Sequence, residues 1–216
     1  MGRQALRTVI LISGRGSNML ALAARAAAIG IDIRAVLSDQ PEAAGLERAR
    51  ALGLAAEAVA RCRFPDRAAH ERALLGRMAD AQAELVVLAG YMRILSPAFV
   101  RAYEGRMFNI HPSLLPAYPG LHTHERVLAA GDPVHGCTVH FVTPELDAGP
   151  GVIQARVPVL PGDTPESLSA RVQTWEHRIY PEAVEWFAAG RLRFRDGSAW
   201  LDGARLVAPL QRGDTA

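Results

Sequence analysis

Runs of β-branched and aliphatic residues alternate with alanine-rich segments through the first half of the chain. Residues 8–13 read as a strand, 17–29 as a helix, 31–38 as a strand and 42–52 as a helix. This βαβα rhythm commits the chain to a mostly parallel sheet, because parallel neighbours need a crossover and the crossover covers the sheet face. A short strand over 55–60 and a helix over 66–81 continue it. Residues 84–90 then hold Leu-Val-Val-Leu-Ala, a continuous apolar run expected of a central strand covered on both faces.

The rhythm changes after that strand. Ser96 followed by Pro97 marks a short helix, with Ser as N-cap and Pro in the first turn. Residues 107–111 read as a strand. Three prolines and a glycine between Pro112 and Gly120 make a stiff irregular loop, in which the state of the Leu115-Pro116 bond is worth checking. Residues 122–130 read as a helix, and 136–142 and 151–159 as strands. The longest helical stretch is Thr164 to Ala189, with Thr164-Pro165-Glu166 as its start and Gly190 as its stop, and Pro181 should interrupt it. Two Asp-Gly turns within 192–206 predict a small antiparallel meander, with the last residues loose. The expected fold is therefore α/β, a doubly wound, mostly parallel twisted sheet with a C-terminal antiparallel meander. With no internal repeat or linker, residues 1–216 read as one domain, with a phosphate-binding N-terminal half and a catalytic C-terminal half.

Bulk properties narrow the function classes. With 50% hydrophobic and 21% charged residues the chain is globular material with enough apolar content for a sizeable core, and its formal charge of +2 is spread over scattered arginines. A nucleic-acid groove has little support, and a small-molecule partner is expected. Cys62 and Cys137 are the two cysteines; Cys137 lies in a strand-like segment and reads as a buried small hydrophobe, which points to a reducing, cytoplasmic setting. The apolar run after Arg3 and Arg7 is too short for a signal peptide, Leu6 stands where a myristoylation signal needs Ser or Thr, and no stretch has the length of a membrane span.

Three residues carry the chemistry. Asn109 and His111 are two apart on one predicted strand, so their side chains project from the same face, and Pro112 ends the strand there. Asn109 offers a donor that does not titrate, which suits an oxyanion. Asp147, in Glu145-Leu-Asp-Ala-Gly-Pro, is a loop carboxylate that can reach the imidazole and favour its charged form, and it reads equally well as a turn residue. Between the first strand and first helix, Ser13-Gly-Arg-Gly-Ser-Asn is a glycine-rich turn placed to hold a phosphate on backbone N–H groups. A plain turn capped by Ser17 is the alternative there. A dinucleotide reading is weakened by Met19, which stands where the fingerprint needs glycine.

Other polar groups have blander readings. His122, His124, His135 and His140 lack a thiolate or carboxylate at metal-site spacing, so no metal is expected, and His122 and His124 line the pocket or cap the following helix. Trp186 and Phe187 read as core, Trp200 as packing in the meander. Glu176 and His177 lie in a charge-rich helical segment and read locally as solvated.

Taken together, Ile12-Ser-Gly-Arg-Gly-Ser-Asn, Gly45-Leu-Glu-Arg-Ala, Val87-Leu-Ala-Gly-Tyr-Met-Arg-Ile-Leu-Ser, Asn109-Ile-His-Pro-Ser-Leu-Leu-Pro, Tyr118-Pro-Gly-Leu-His-Thr-His and Val139-His-Phe-Val-Thr-Pro-Glu-Leu-Asp-Ala-Gly-Pro carry a resemblance over nearly the whole chain. The sequence resembles the folate-dependent phosphoribosylglycinamide formyltransferases of purine synthesis. That resemblance implies Asn109, His111 and Asp147 as a catalytic trio, and Gly16, Ser17 and Asn18 as the phosphate site. It implies that Gln173, Thr174, Trp175 and Glu176 face the ribonucleotide, against the local reading of Glu176. It further implies contacts to 10-formyltetrahydrofolate from Arg67, Met92, Arg93, Ile94, Leu95, Asn109, Thr143, Pro144, Glu145, Leu146 and Asp147. The expected partners are these two small molecules, with no nucleic acid or membrane, for a cytoplasmic monomer or homodimer.

Two positions depart from the family pattern. Ala148 stands where many relatives have a second glycine, and Gly151 replaces an aliphatic residue after Pro150. Related formyl-folate hydrolases and methionyl-tRNA formyltransferases usually carry an extra domain, for which this chain is expected to have no room. A phosphate-sensing binding protein would leave Asn109, His111 and Asp147 without a task.

Overall fold

The computed structural model describes residues 4–213, which divide into two compact units after Phe108. Expectations that fall on Met1, Gly2, Arg3 and the last three residues lie outside the described residues.

In the first unit, β1 (Leu6–Ile12) is followed by α1 (Ser17–Ala23), β2 (Ile31–Ser38), α2 (Ala44–Ala51) and β3 (Ala56–Ala58). A 3-10 turn at Arg61–Arg63, then α3 (Arg67–Asp80), β4 (Leu85–Leu88) and α4 (Pro97–Ala102) complete it. β1 pairs in parallel with β2 on one side and β4 on the other, and β2 pairs in parallel with β3. Val9 to Ile12 and Leu85 to Val87 are fully buried, as their unbroken apolar runs require. Each such side chain contributes about 1.5–3 kcal/mol on burial. The chain adds β2 and β3 to one side of β1 and then crosses back to place β4 on the other. Strand order therefore reverses between β1 and β4, and in open α/β sheets ligands bind beyond the carboxyl ends of strands at such a point.

The chain leaves the first unit inside β5 (Met107–His111). In the second, α5 (Thr123–Ala130), β6 (Val134–Phe141), β7 (Gly151–Pro158) and α6 (Pro165–Ala188) lead to β8 (Leu192–Arg195), β9 (Ser198–Leu201), β10 (Ala204–Arg205) and β11 (Leu210–Gly213). β6 and β7 are antiparallel, and α6 covers both. β8, β9 and β10 form the expected antiparallel meander. Its Asp196-Gly197 and Asp202-Gly203 turns have positive φ throughout, as type I′ turns demand.

Four expectations need correction. The first helix stops at Ala23 instead of Ile29: Arg25 and Ala26 donate to carbonyls three residues back, and Ile31 N–H closes on Ala26 over a left-handed Gly30. That closure swings the chain directly into β2. α6 runs unbroken through Pro181. Proline removes one backbone donor while keeping a helical φ, and buried Ile179, Tyr180, Ala183 and Val184 hold the helix against β6 and β7. Residues 210–213 form a strand parallel to β7, where a loose tail was expected. Glu176 is buried, where a solvated face was expected, because its turn of α6 packs inward with Val172 and Tyr180. Other element boundaries shift by one or two residues, the usual fraying.

Candidate active site

In the second unit, strand parity places Asn109 and His111 on one face of β5, with Ile110 buried on the other. The 112–122 loop folds back with a cis Leu115-Pro116 bond. Thr123 Oγ1 anchors it by donating to the Pro112 carbonyl at 2.7 Å, and Ser113 Oγ donates to the Ala117 carbonyl at 2.6 Å. This folding brings the Tyr118 carbonyl to 2.9 Å from His111 Nε2. A carbonyl only accepts, so Nε2 carries the proton and Nδ1 is the nitrogen left to exchange one. Nδ1 faces Asp147 Oδ2 at 3.5 Å, and both side chains are nearly enclosed.

Asp147 is held from a second direction, since Gly120 N–H donates to its Oδ2 at 2.8 Å. Tyr118, His122 and Asp147 all adopt left-handed backbone conformations, with φ of 54°, 58° and 51°. Non-glycine residues held in that region concentrate at functional sites. Gly149 sets the loop's approach: a Cβ there would lie 1.8 Å from the Phe141 carbonyl oxygen. At the departing position Gly151, a Cβ would meet Pro209 Cγ at 2.5 Å, so glycine here makes room for the segment entering β11.

A fourth polar residue joins the trio. His140 on β6 is almost fully buried, and its Nδ1 donates to the Phe141 carbonyl at 2.9 Å. Burial pushes its pKa down, against the opposing pull of that hydrogen bond and of Asp147, so the ring is neutral. Its Nε2 therefore accepts from Asn109 Nδ2 at 3.2 Å. The remaining Nδ2 hydrogen of Asn109 is left for another acceptor. The sequence reading treated His140 as one of four histidines in a metal pattern and missed this pairing. The signal available was its alternation with Thr138 on one strand, which is too weak to select it.

Two of the other histidines pair with each other. His135 Nε2 is 3.0 Å from His124 Nδ1, and burial drives the His135 pKa down to about 4. His122 occupies the N-cap position of α5 without a side-chain cap and approaches Glu125 at 3.4 Å. On α6, Gln173 and Trp175 are half-buried, Thr174 is exposed, and the Arg178 guanidinium lies 4.8 Å over the Trp175 ring. Pro144, Glu145 and Leu146 are exposed beside Asp147, while Thr143 is half-buried.

In the first unit, the turn after β1 and the loop after β4 emerge side by side at the strand-order reversal. Gly16 is the N-cap of α1, with φ 72° and no side-chain cap, so the turn is shaped by glycine and not by a Ser17 cap. Gly45 N–H donates to the Gly14 carbonyl at 3.0 Å, and a Cβ on Gly16 would sit 3.0 Å from Gly45 Cα. Ser13 joins both loops: its hydroxyl donates to buried Asp39 and accepts from Met92 N–H at 2.9 Å. Ser13 N–H also donates to the Gly90 carbonyl. Met92 and Ile94 stand exposed, Arg93 likewise, and Leu95 is buried. Arg67 opens α3 with its side chain half exposed.

The family model described as formyl transferase matches residues 6–184. The chain belongs to the formyl transferase family. Among curated members, the phosphoribosylglycinamide formyltransferase of Escherichia coli K12 is 52% identical over 203 residues, covering 93% of this chain and 96% of its own. Among solved formyl transferase structures, the phosphoribosylglycinamide formyltransferase of Coxiella burnetii superposes with a TM-score of 0.91 at 47% identity, over 96% of this chain and all of that one. Glycinamide ribonucleotide transformylase 1 of Symbiobacterium toebii gives 0.89 at 44% identity, over 93% and 95%. This formyl transferase has the expected α/β architecture, a mostly parallel sheet flanked by helices with a small antiparallel sheet. Among the described residues no helix is long and apolar enough to cross a membrane.

Proposed function

We propose that this protein transfers the formyl group of 10-formyltetrahydrofolate to the amine of 5'-phosphoribosylglycinamide, a step of de novo purine synthesis, and that it does so in the cytoplasm as a monomer or homodimer. The observation that carries the reading is the His111 ring, fixed at Nε2 by the Tyr118 carbonyl with Nδ1 turned to Asp147, on the same strand face as Asn109. Family membership supplies the group transferred, and the similarity to phosphoribosylglycinamide formyltransferases over nearly their whole length supplies the acceptor.

In this reading the amine attacks the formyl carbon, forming a C–N bond and turning the formyl oxygen into an oxyanion. The Asn109 Nδ2 hydrogen not shared with His140 faces that oxygen, and the charged His111 ring stabilises it. Asp147 Oδ2, 3.5 Å from Nδ1, holds the ring on that side. Collapse breaks the bond to N10 of the folate, which takes up the proton that the amine gives away, relayed through His111 or a water ordered by Asp147. Gly16, Ser17 and Asn18 are assigned to the ribonucleotide phosphate, and Gln173 to Glu176 to the glycinamide end. Arg67, residues 92–95 and residues 143–147 are assigned to the formyl donor. Orientation of two bound reactants supplies much of the acceleration.

Following consumption of 10-formyltetrahydrofolate with the ribonucleotide, with water alone, and with charged initiator tRNA tests the reading. Consumption with the ribonucleotide alone is expected. Equal consumption without an acceptor makes the protein a hydrolase, and consumption with tRNA alone makes it a tRNA formyltransferase; either result overturns the proposal.

A further inference from the structure

Glu71, in the second turn of α3, carries a carboxyl group that is almost wholly buried. Both of its oxygens are engaged: Oε1 accepts from Arg67 Nε at 2.8 Å and from Ser96 N–H at 2.8 Å, and Oε2 accepts from the Ser96 hydroxyl. Burial alone would push this carboxyl up, but the donors from Ser96 and Arg67 outweigh it and hold the group below the usual carboxylate range. Glu71 is thus a buried carboxylate whose charged form its donors favour. Burying a charge is costly unless it is paired and hydrogen-bonded, so a neutral side chain would serve better if the task were only to tie α3 to Ser96.

Arg67 raises the same question from the other side. It is the first helical residue of α3, directly after the Asp66 N-cap, and a cation there opposes the helix dipole. With its Nε on Glu71, its two terminal nitrogens have no other partner among the described residues, and the side chain is 49% exposed. That outer edge of a guanidinium matches a carboxylate in two parallel hydrogen bonds. Ser96, the other group Glu71 holds, closes the 92–95 loop and caps α4 by accepting from Phe99 N–H at 3.2 Å. One carboxylate therefore fixes both Arg67 and the end of the exposed loop.

We infer that Glu71 is a positioning residue for the formyl donor, orienting Arg67 to receive a carboxylate of the donor's glutamate tail while holding the 92–95 loop in register with it. The inference rests on the proposed formyl-folate reading. It makes Glu71 a determinant of donor affinity that acts through Arg67 and leaves the chemical step alone.

The test is a steady-state comparison of wild type with Glu71→Gln, which keeps the side-chain volume and an oxygen for Ser96, after circular dichroism shows that both fold. Glu71→Gln is expected to raise KM for 10-formyltetrahydrofolate about tenfold with kcat within about twofold, since one charged hydrogen bond is lost outside the reacting centre. KM for the ribonucleotide should stay put. With a donor lacking the glutamate, 10-formyltetrahydropteroate, the two proteins should share one KM. In an Arg67→Ala background, Glu71→Gln should add little. An equal KM rise with both donors, no rise with either, or a full further rise in the Arg67→Ala background overturns the inference. A wild type that moves no formyl group to the ribonucleotide defeats the parent reading instead.

Discussion

Asn109 Nδ2 lies 3.2 Å from His140 Nε2, and because burial keeps that imidazole neutral, the amide is the donor and the ring the acceptor. The orientation of the amide on β5 is thus set by a residue on β6. Truncating His140 to Ala frees the amide to rotate, and kcat is expected to fall by about ten- to hundredfold, part of the effect of losing an oxyanion donor. His140→Gln, which can place an acceptor near the same point, should recover part of the loss in the same assay.

The Tyr118 contribution to His111 is a backbone carbonyl, while its hydroxyl donates to Asp132 on the far side of the residue. Tyr118→Phe therefore separates the two. It is expected to lower stability through loss of the hydrogen bond to a charged acceptor, with kcat within about twofold. Urea unfolding and turnover of one preparation check both halves.

Acid should weaken the fold through His135. Its pKa is down to about 4 in the folded chain, against about 6.5 for a free histidine, chiefly through burial and secondarily through the neighbouring His124 and His111. Between those values the unfolded chain binds more protons, so stability rises with pH there. The contribution is fully present above the unfolded value and is lost as pH falls through the folded one. Replacing His135 by Gln should flatten the stability difference between about pH 7 and about pH 5 by about 2 kcal/mol. Denaturant titrations of both proteins at the two pH values measure it.

Gly16 adopts φ 72°, and a Cβ there would press on Gly45 Cα at 3.0 Å. Gly16→Ala is expected to cost about 1–2 kcal/mol in backbone strain and to distort the turn assigned to the phosphate. KM for the ribonucleotide should then rise severalfold while KM for the formyl donor changes little, a contrast read from initial rates with each substrate varied.

Features written in local periodicity or turn chemistry were legible before the structure. The unbroken run at 85–88 gives a strand buried on both faces, the Ser96-Pro97 start gives α4, and the two Asp-Gly turns give the meander. Strand parity likewise places Asn109 and His111 together. What pairing across the fold decides was not legible. Residues 210–213 have no strand signature of their own and become one because β7 offers an edge. Glu176 looked solvated because its neighbours in sequence are charged, while its neighbours around the helix are Val172 and Tyr180. The Tyr118 carbonyl could not be foreseen at all, since every residue has one and only the loop's path selects it. The reach of Asp147 depended in the same way on a loop geometry that Gly149 permits.

The central claim is that His111, held by Asp147, carries the transfer, and single-turnover formyl transfer to 5'-phosphoribosylglycinamide by His111→Ala and Asp147→Asn tests it most directly. With both substrates saturating, His111→Ala is expected to slow the chemical step by about a hundredfold or more, the range for losing a general acid–base group, with Asp147→Asn close behind. Rates within a few-fold of wild type in either variant would contradict the account.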